Sequence, residues 1–205
     1  MRTLAIETAS EACSIALFEG EAAIARDHRV MGRGHAEALV PMIGALPDKG
    51  RAGRILVGLG PGSFTGVRIG LATARALGFA WEAEVLGYPT LALVAAEAGT
   101  DAPLTVCMNG GHGELFVQDF AAGLPMGELR SLSPAAAAER GAQGRVTGNR
   151  ARELAALLDG EREVIERLPD AGAVPLLPPA LLTAALAPIY GRGPDATPMA
   201  GRVTA

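Results

Sequence analysis

The chain has 205 residues, a net charge of −4 and a sequence pI near 5.4. Hydrophobic residues make up 49% of it, enough to build a real core, so an intrinsically disordered protein is excluded. Aromatics are only 4%, Lys49 is the only lysine and the arginines are spread along the chain. The clustered basic face that an independent nucleic-acid binder needs is therefore missing; direct, strong RNA or DNA binding is disfavoured, and a partner could supply the basic surface.

Two apolar runs, residues 3–8 and 13–18, flank a short polar link at 9–12 and read as a β-hairpin. A third strand is expected over 22–30. Helix one is expected over 35–46, with Leu39, Met42, Ile43 and Leu46 on one apolar face and Pro41 bending it. A fourth strand is expected over 55–59 and helix two over 65–80, with Ser63 or Thr65 as N-cap. A short strand over 85–88 and a helix over 90–98 complete a mixed α/β unit. The polar turn at 99–103 marks a boundary between residues 1–100 and 101–205. The second part is expected to hold strands over 104–108 and 114–120, a helix over 134–140 and a strand over 145–148. Helices over 150–158 and 179–187 follow, then a loose Gly/Pro-rich tail beyond Pro188. No sequence repeat is visible. No run of about 18 apolar residues exists, so no membrane span is expected. The absence of a leader pattern and two cysteines in apolar settings, Cys13 and Cys107, point to a cytoplasmic protein with reduced thiols.

The glycine-rich turn from Gly58 through Gly60, Gly62 and Gly66 follows a strand and opens a helix. Backbone amides at such a turn can cradle a phosphate. The Walker lysine is absent and Thr65 takes the place of the third Rossmann glycine, so the nucleotide reading is incomplete. Pro61 and Thr65 likewise break the nucleophile-elbow pattern around Ser63, which fits a cap better. Gly66, Gly70, Ala74 and Gly78 recur every fourth residue. On a helix they form a flat stripe, and three helical glycines cost up to about 1 kcal/mol each unless close packing offsets the loss. The stripe is therefore expected at a helix–helix contact, within the chain or with another chain. Ile69, Leu77 and Ala80 would face the sheet, with Arg68 and Arg75 at a rim. Glu7 could orient water or a metal, or be a hydrogen-bonded hairpin residue. His35 reads as a first-turn residue near solvent, and His112 lies in a glycine-rich turn too loose to hold a catalytic group. No histidine and cysteine set has metal spacing, and no cofactor is expected.

The segments Leu4-Ala5-Ile6-Glu7-Thr8, Glu11 to Leu17, Gly58 to Gly70, Val40-Pro41-Met42-Ile43 and Gly87 to Leu91 resemble the bacterial TsaB (YeaZ) family over residues 1–95. The resemblance implies a two-lobed, actin-like ATPase (sugar kinase-like) α/β fold with mixed sheets flanked by helices. It implies a non-catalytic scaffold or activator beside a catalytic paralogue, TsaD, and a small ATPase, TsaE. Together they attach threonylcarbamoyl to the adenosine beside the anticodon in tRNAs reading codons that begin with A. It implies pairing through the first two helices, as a homodimer or with the paralogue, and so assigns His35, Leu39, Met42, Ile43, Gly66, Gly70, Ala74 and Gly78 to partner binding. Two departures stand out: Glu7 replaces the family's aspartate, and Asn109-Gly110-Gly111-His112-Gly113-Glu114 lacks the acid and arginine of its second hairpin. The competing reading is an independent ATPase, kinase or glycoprotease-like hydrolase.

Overall fold

A computed structural model describes residues 1–191. It contains two five-stranded sheets built to one plan. In the first, β1 (Arg2–Glu7), β2 (Ala12–Glu19) and β3 (Ala22–Val30) form an antiparallel meander, and β4 (Arg54–Gly58) and β5 (Glu84–Tyr88) add in parallel, giving the order β3-β2-β1-β4-β5. In the second, β6 (Leu104–Gly111), β7 (Glu114–Ala121) and β8 (Leu124–Leu132) form the meander. Strands β9 (Arg145–Thr147) and β10 (Glu163–Ile165) add in parallel, giving β8-β7-β6-β9-β10.

Side-chain alternation then sets the layers. Along β1, Leu4 and Ile6 point toward α1 (His35–Ala45) and α2 (Phe64–Trp81), while Ala5 points to the opposite face. That opposite face meets α3 (Thr90–Ala98), which is buried from Thr90 to Ala96 because it is sandwiched between the two sheets. A helix apolar all round fits only such a place. Phe116 and Phe120 of β7 close this central core from the second sheet. Leu115 and Val117, one residue out of phase, pack instead under α4 (Pro134–Arg140) and α5 (Ala151–Ala155).

The expected elements of the first sheet are all present. In the second part, β8 and β10 were not anticipated. Strand β8 contains Pro125 and Gly127, which argue against a strand, but it lies at the sheet edge, where a missing amide donor is tolerated. The helix expected over 150–158 regularises only at α5, and the one expected over 179–187 does not form. A 3₁₀ turn at Pro179–Leu181 leads into extended chain, where Thr183 bridges antiparallel to Gly87. The free edge of β5 captures a segment whose prolines oppose helix. Most of the loose tail expected beyond Pro188 lies outside the described residues.

Candidate functional site

The glycine-rich turn is closed by its own chain. The Leu59 amide donates to Tyr88 O (2.8 Å), the Gly60 amide to Thr90 Oγ1 (3.2 Å) and the Ser63 amide to Ala9 O (2.7 Å). Ser63 caps α2, its Oγ accepting from the Gly66 amide at 3.2 Å. Ile189 lies across the turn and donates its amide to Leu59 O at 2.7 Å. Four amides of the turn, those of Leu59, Gly60, Ser63 and Gly66, are thus already donating to carbonyls and hydroxyls of the protein.

Glu7 sits at the end of β1, fully buried above Gly58, where any Cβ would collide with its carboxyl group. Its Oε1 accepts from the Ala9 amide (2.8 Å) and Oε2 from Thr90 Oγ1 (3.0 Å). Burial pushes its pKa up to about 7, against the opposing pull of those hydrogen bonds. The same burial, with the Glu7 charge adding to it, raises the neighbouring Tyr88 phenol, which donates to Ile6 O at 3.0 Å. Glu7 is therefore the hydrogen-bonded residue of the two alternatives. Burial also pushes the Cys13 thiol up to about 11 and the Cys107 thiol up to about 12, so neither is a ready nucleophile. Among the described residues no three His, Cys, Asp or Glu side chains converge on one point.

At the second hairpin, His112 and Gly113 both have positive φ, 52° and 80°, as a two-residue type I′ turn requires. Glycine at the second position meets that demand without strain. This hairpin is tied to the first one by Asn149. Its Oδ1 accepts from the Asn109 amide (2.9 Å), and its Nδ2 donates to both carboxylate oxygens of Glu11 (2.9 and 3.0 Å). Ser14 adds a second bridge, accepting from the Ala171 amide (2.9 Å) and donating to Asp170 (3.0 Å). The links from Glu11 and Ser14 join residues 138 to 157 apart in the chain, so no local pattern could have indicated them.

The expected small-residue stripe on α2 is real, and within the chain its glycines face the sheet and its β1 end rather than another helix. Gly66 packs on Thr8 O, Gly70 on Thr8 Oγ1 and Val57, and Gly78 on Val85; Ala74 is fully buried. A Cβ on any of the three glycines would collide with those groups. Thr8 Oγ1 also donates to Gly66 O at 2.8 Å. The stripe brings α2 down onto β1, β4 and β5, so the close packing that offsets its glycines is against the sheet. Ile69 and Leu77, expected on the sheet side, are only partly buried, and Ala80 is exposed. On α1, Leu39, Met42 and Ile43 fill the same core. His35 is buried rather than near solvent, its Nε2–H donating to Ala12 O at 3.2 Å. All eight residues assigned to partner binding thus have interior contacts.

The outward arc of α2 is different. Phe64, Arg68, Ala72, Arg75, Ala76 and Phe79 are exposed, Phe79 to 91%. Beside it α1 presents Glu37, Val40, Pro41 and Gly44, with Val40 exposed to 59%. Large apolar side chains on adjoining helices are the signature of an interaction face. Sequence reading missed Val40, Phe64 and Phe79; their helical phase, opposite the glycine stripe, was the available signal.

A family model described as TsaD, tRNA N6-adenosine threonylcarbamoyltransferase, matches residues 28–127. The tRNA threonylcarbamoyladenosine biosynthesis protein TsaB of Escherichia coli is 38% identical over 100 residues, which are 46% of this chain and 43% of that protein. The chain thus matches less than half the length of that relative. An uncharacterized protein of Mycobacterium tuberculosis is 32% identical over 206 residues, 96% of this chain and 94% of its own length. The crystal structure of YeaZ from Pseudomonas aeruginosa superposes with a TM-score of 0.71 at 26% identity, covering 85% of this chain and 89% of that one. The architecture is the expected actin-like α/β fold, two mixed sheets flanked by helices. Matched in sequence by TsaB proteins and in space by YeaZ over most of its length, the chain belongs to the TsaB (YeaZ) family.

Proposed function

We propose that this protein is a non-catalytic scaffold and activator in tRNA threonylcarbamoyladenosine synthesis, pairing with a TsaD-type transferase through the outer faces of α1 and α2. The observation that carries this reading is the exposed arc of α2, Phe64 to Phe79, beside Val40 of α1. The arc sits on a helix whose opposite side is locked to the sheet, so it is presented rigidly. Rigid presentation lowers the ordering cost of association. The groups that might have done chemistry support the same reading. Glu7 is enclosed and hydrogen-bonded, Ser63 caps a helix, and the Leu59, Gly60, Ser63 and Gly66 amides have internal acceptors.

In this reading residues 1–100 form the pairing lobe and 101–205 a reduced second lobe. A TsaE-type ATPase joins the assembly, tRNA is reached through the complex, and the free cytoplasmic protein pairs with itself. The direct test is light scattering after size exclusion, using the chain mixed with the purified TsaD-type paralogue of the same organism. A one-to-one or larger complex is expected for the native chain and its loss for Ala76→Glu, which places a charge at the centre of the arc. Separate peaks for the native pair, or an Ala76→Glu complex as tight as the native one, would overturn the reading. Hydrolysis of ATP by the isolated chain, abolished by Glu7→Gln, would favour the independent enzyme instead.

A further inference from the structure

The extended segment after the last 3₁₀ turn does more than cover a strand edge. Thr183 exchanges two hydrogen bonds with Gly87 (2.8 and 3.0 Å), anchoring the segment to β5. It then runs alongside α2, from Arg75 back to Phe64. The Arg75 guanidinium donates to Leu186 O (2.6 Å), and the Arg68 guanidinium donates to the Tyr190 hydroxyl (3.1 Å). Arg68 also lies 3.5 Å over the Phe64 ring, and Phe64 and Tyr190 stand 5.6 Å apart between ring centroids. Beyond Tyr190 the chain passes under the Phe116 ring, where a Cβ on Gly191 would collide. The segment is thus a strap hydrogen-bonded at Thr183, Leu186, Ile189 and Tyr190, and its Tyr190 remains 51% exposed beside the 56% exposed Phe64.

We propose that this strap is a structural part of the pairing face, with Tyr190, Phe64 and Arg68 forming one contact unit. The inference rests on the reading of α1 and α2 as that face. Tyr and Arg are the side chains that most often dominate interface energetics, and here they are ordered before any partner arrives. Charge indicates the chemistry of the occupant. Arg68 and Arg75 are hydrogen-bonded to neutral oxygens, and among the described residues neither forms an ion pair. The face therefore suits a protein partner with an apolar centre edged by carboxylates.

The test is calorimetric titration of the purified TsaD-type paralogue into the full chain and three variants. Tyr190→Ala removes the contact unit's outer ring. Thr183→Pro removes the amide that anchors the strap to Gly87 O. Ala76→Glu disrupts the arc away from the strap. Affinity is expected to fall about tenfold or more for the two strap variants and to vanish for Ala76→Glu, with thermal midpoints of the Tyr190→Ala and Ala76→Glu chains unchanged. The Thr183 and Ile189 amides should also exchange more slowly in the complex. Native or tighter affinity for Tyr190→Ala, with binding lost in Ala76→Glu, would overturn the strap's role and leave the pairing face standing. Native affinity for Ala76→Glu would overturn the pairing face itself.

Discussion

The two sheets share one strand order but not one degree of development. In the first, parallel strands β4 and β5 have five residues each and the intervening helix α2 has eighteen. In the second, β9 and β10 have three residues each and α5 has five. Where the first sheet continues into the nine-residue α3, the second continues into a six-residue 3₁₀ segment, Ala171–Leu176. The difference teaches that the shared plan supports the core, whereas the long α2 and its exposed arc are an addition that only the first sheet carries. A partner face needs a helix long enough to cover the sheet and still offer several turns to solvent.

This contrast can be broken most directly at Gly70. Gly70→Leu should lift α2 from Thr8 and Val57 and destabilise the protein by about 3 kcal/mol or more, read by urea unfolding. A stable Gly70→Leu protein would mean that α2 is not bound tightly to its sheet. Leu154→Ala, in the smaller outer core of the second sheet, is expected to cost about 2–3 kcal/mol. Its amide exchange should quicken in β9 and β10 while β1 and β4 stay protected. Equal acceleration in both sheets would show that they unfold as one unit.

The third prediction concerns Glu7, buried under the first sheet's turn. Its pKa rises on folding from 4.5 to about 7, so the native state holds its proton more tightly than the unfolded chain. Stability is then greatest below about pH 4.5 and falls as pH rises toward 7, by roughly 2–3 kcal/mol from this residue. Glu97, raised to about 7 mainly by burial, adds in the same direction. Glu7→Gln should flatten the decline, its amide replacing the bonds to the Ala9 amide and Thr90. An unchanged pH profile in thermal unfolding would contradict the burial of a titrating carboxyl group there. The smallest effect is expected for Asn149→Ala, about 1 kcal/mol, from loss of the bridge between the two hairpins. Exchange should then quicken at the Asn109 amide, leaving the rest of both sheets unaffected.

How much of this was legible in the sequence differs between the two halves for the same reason. Strands β1, β2 and β4 are apolar runs with clear turns between them, and α2 carries both a capping serine and a regular stripe of small residues. Such signals are local, and they fixed the α/β class, the order of the first eight elements and the family resemblance. Strand β8 gave no such signal because an edge strand tolerates proline and glycine, and β10 has only three residues. The strap was misread as helix because its conformation is set by the open edge of β5, which lies about a hundred residues earlier.

The sequence by itself determined that α2 must approach something closely, because three glycines and an alanine spaced four apart leave no other reason for a helix to bear that cost. Only the tertiary structure decided what it approaches. The register of β1, β4 and β5 places Thr8, Val57 and Val85 directly beneath the stripe, and once that side is buried, helical periodicity turns Phe64, Arg68 and Phe79 outward.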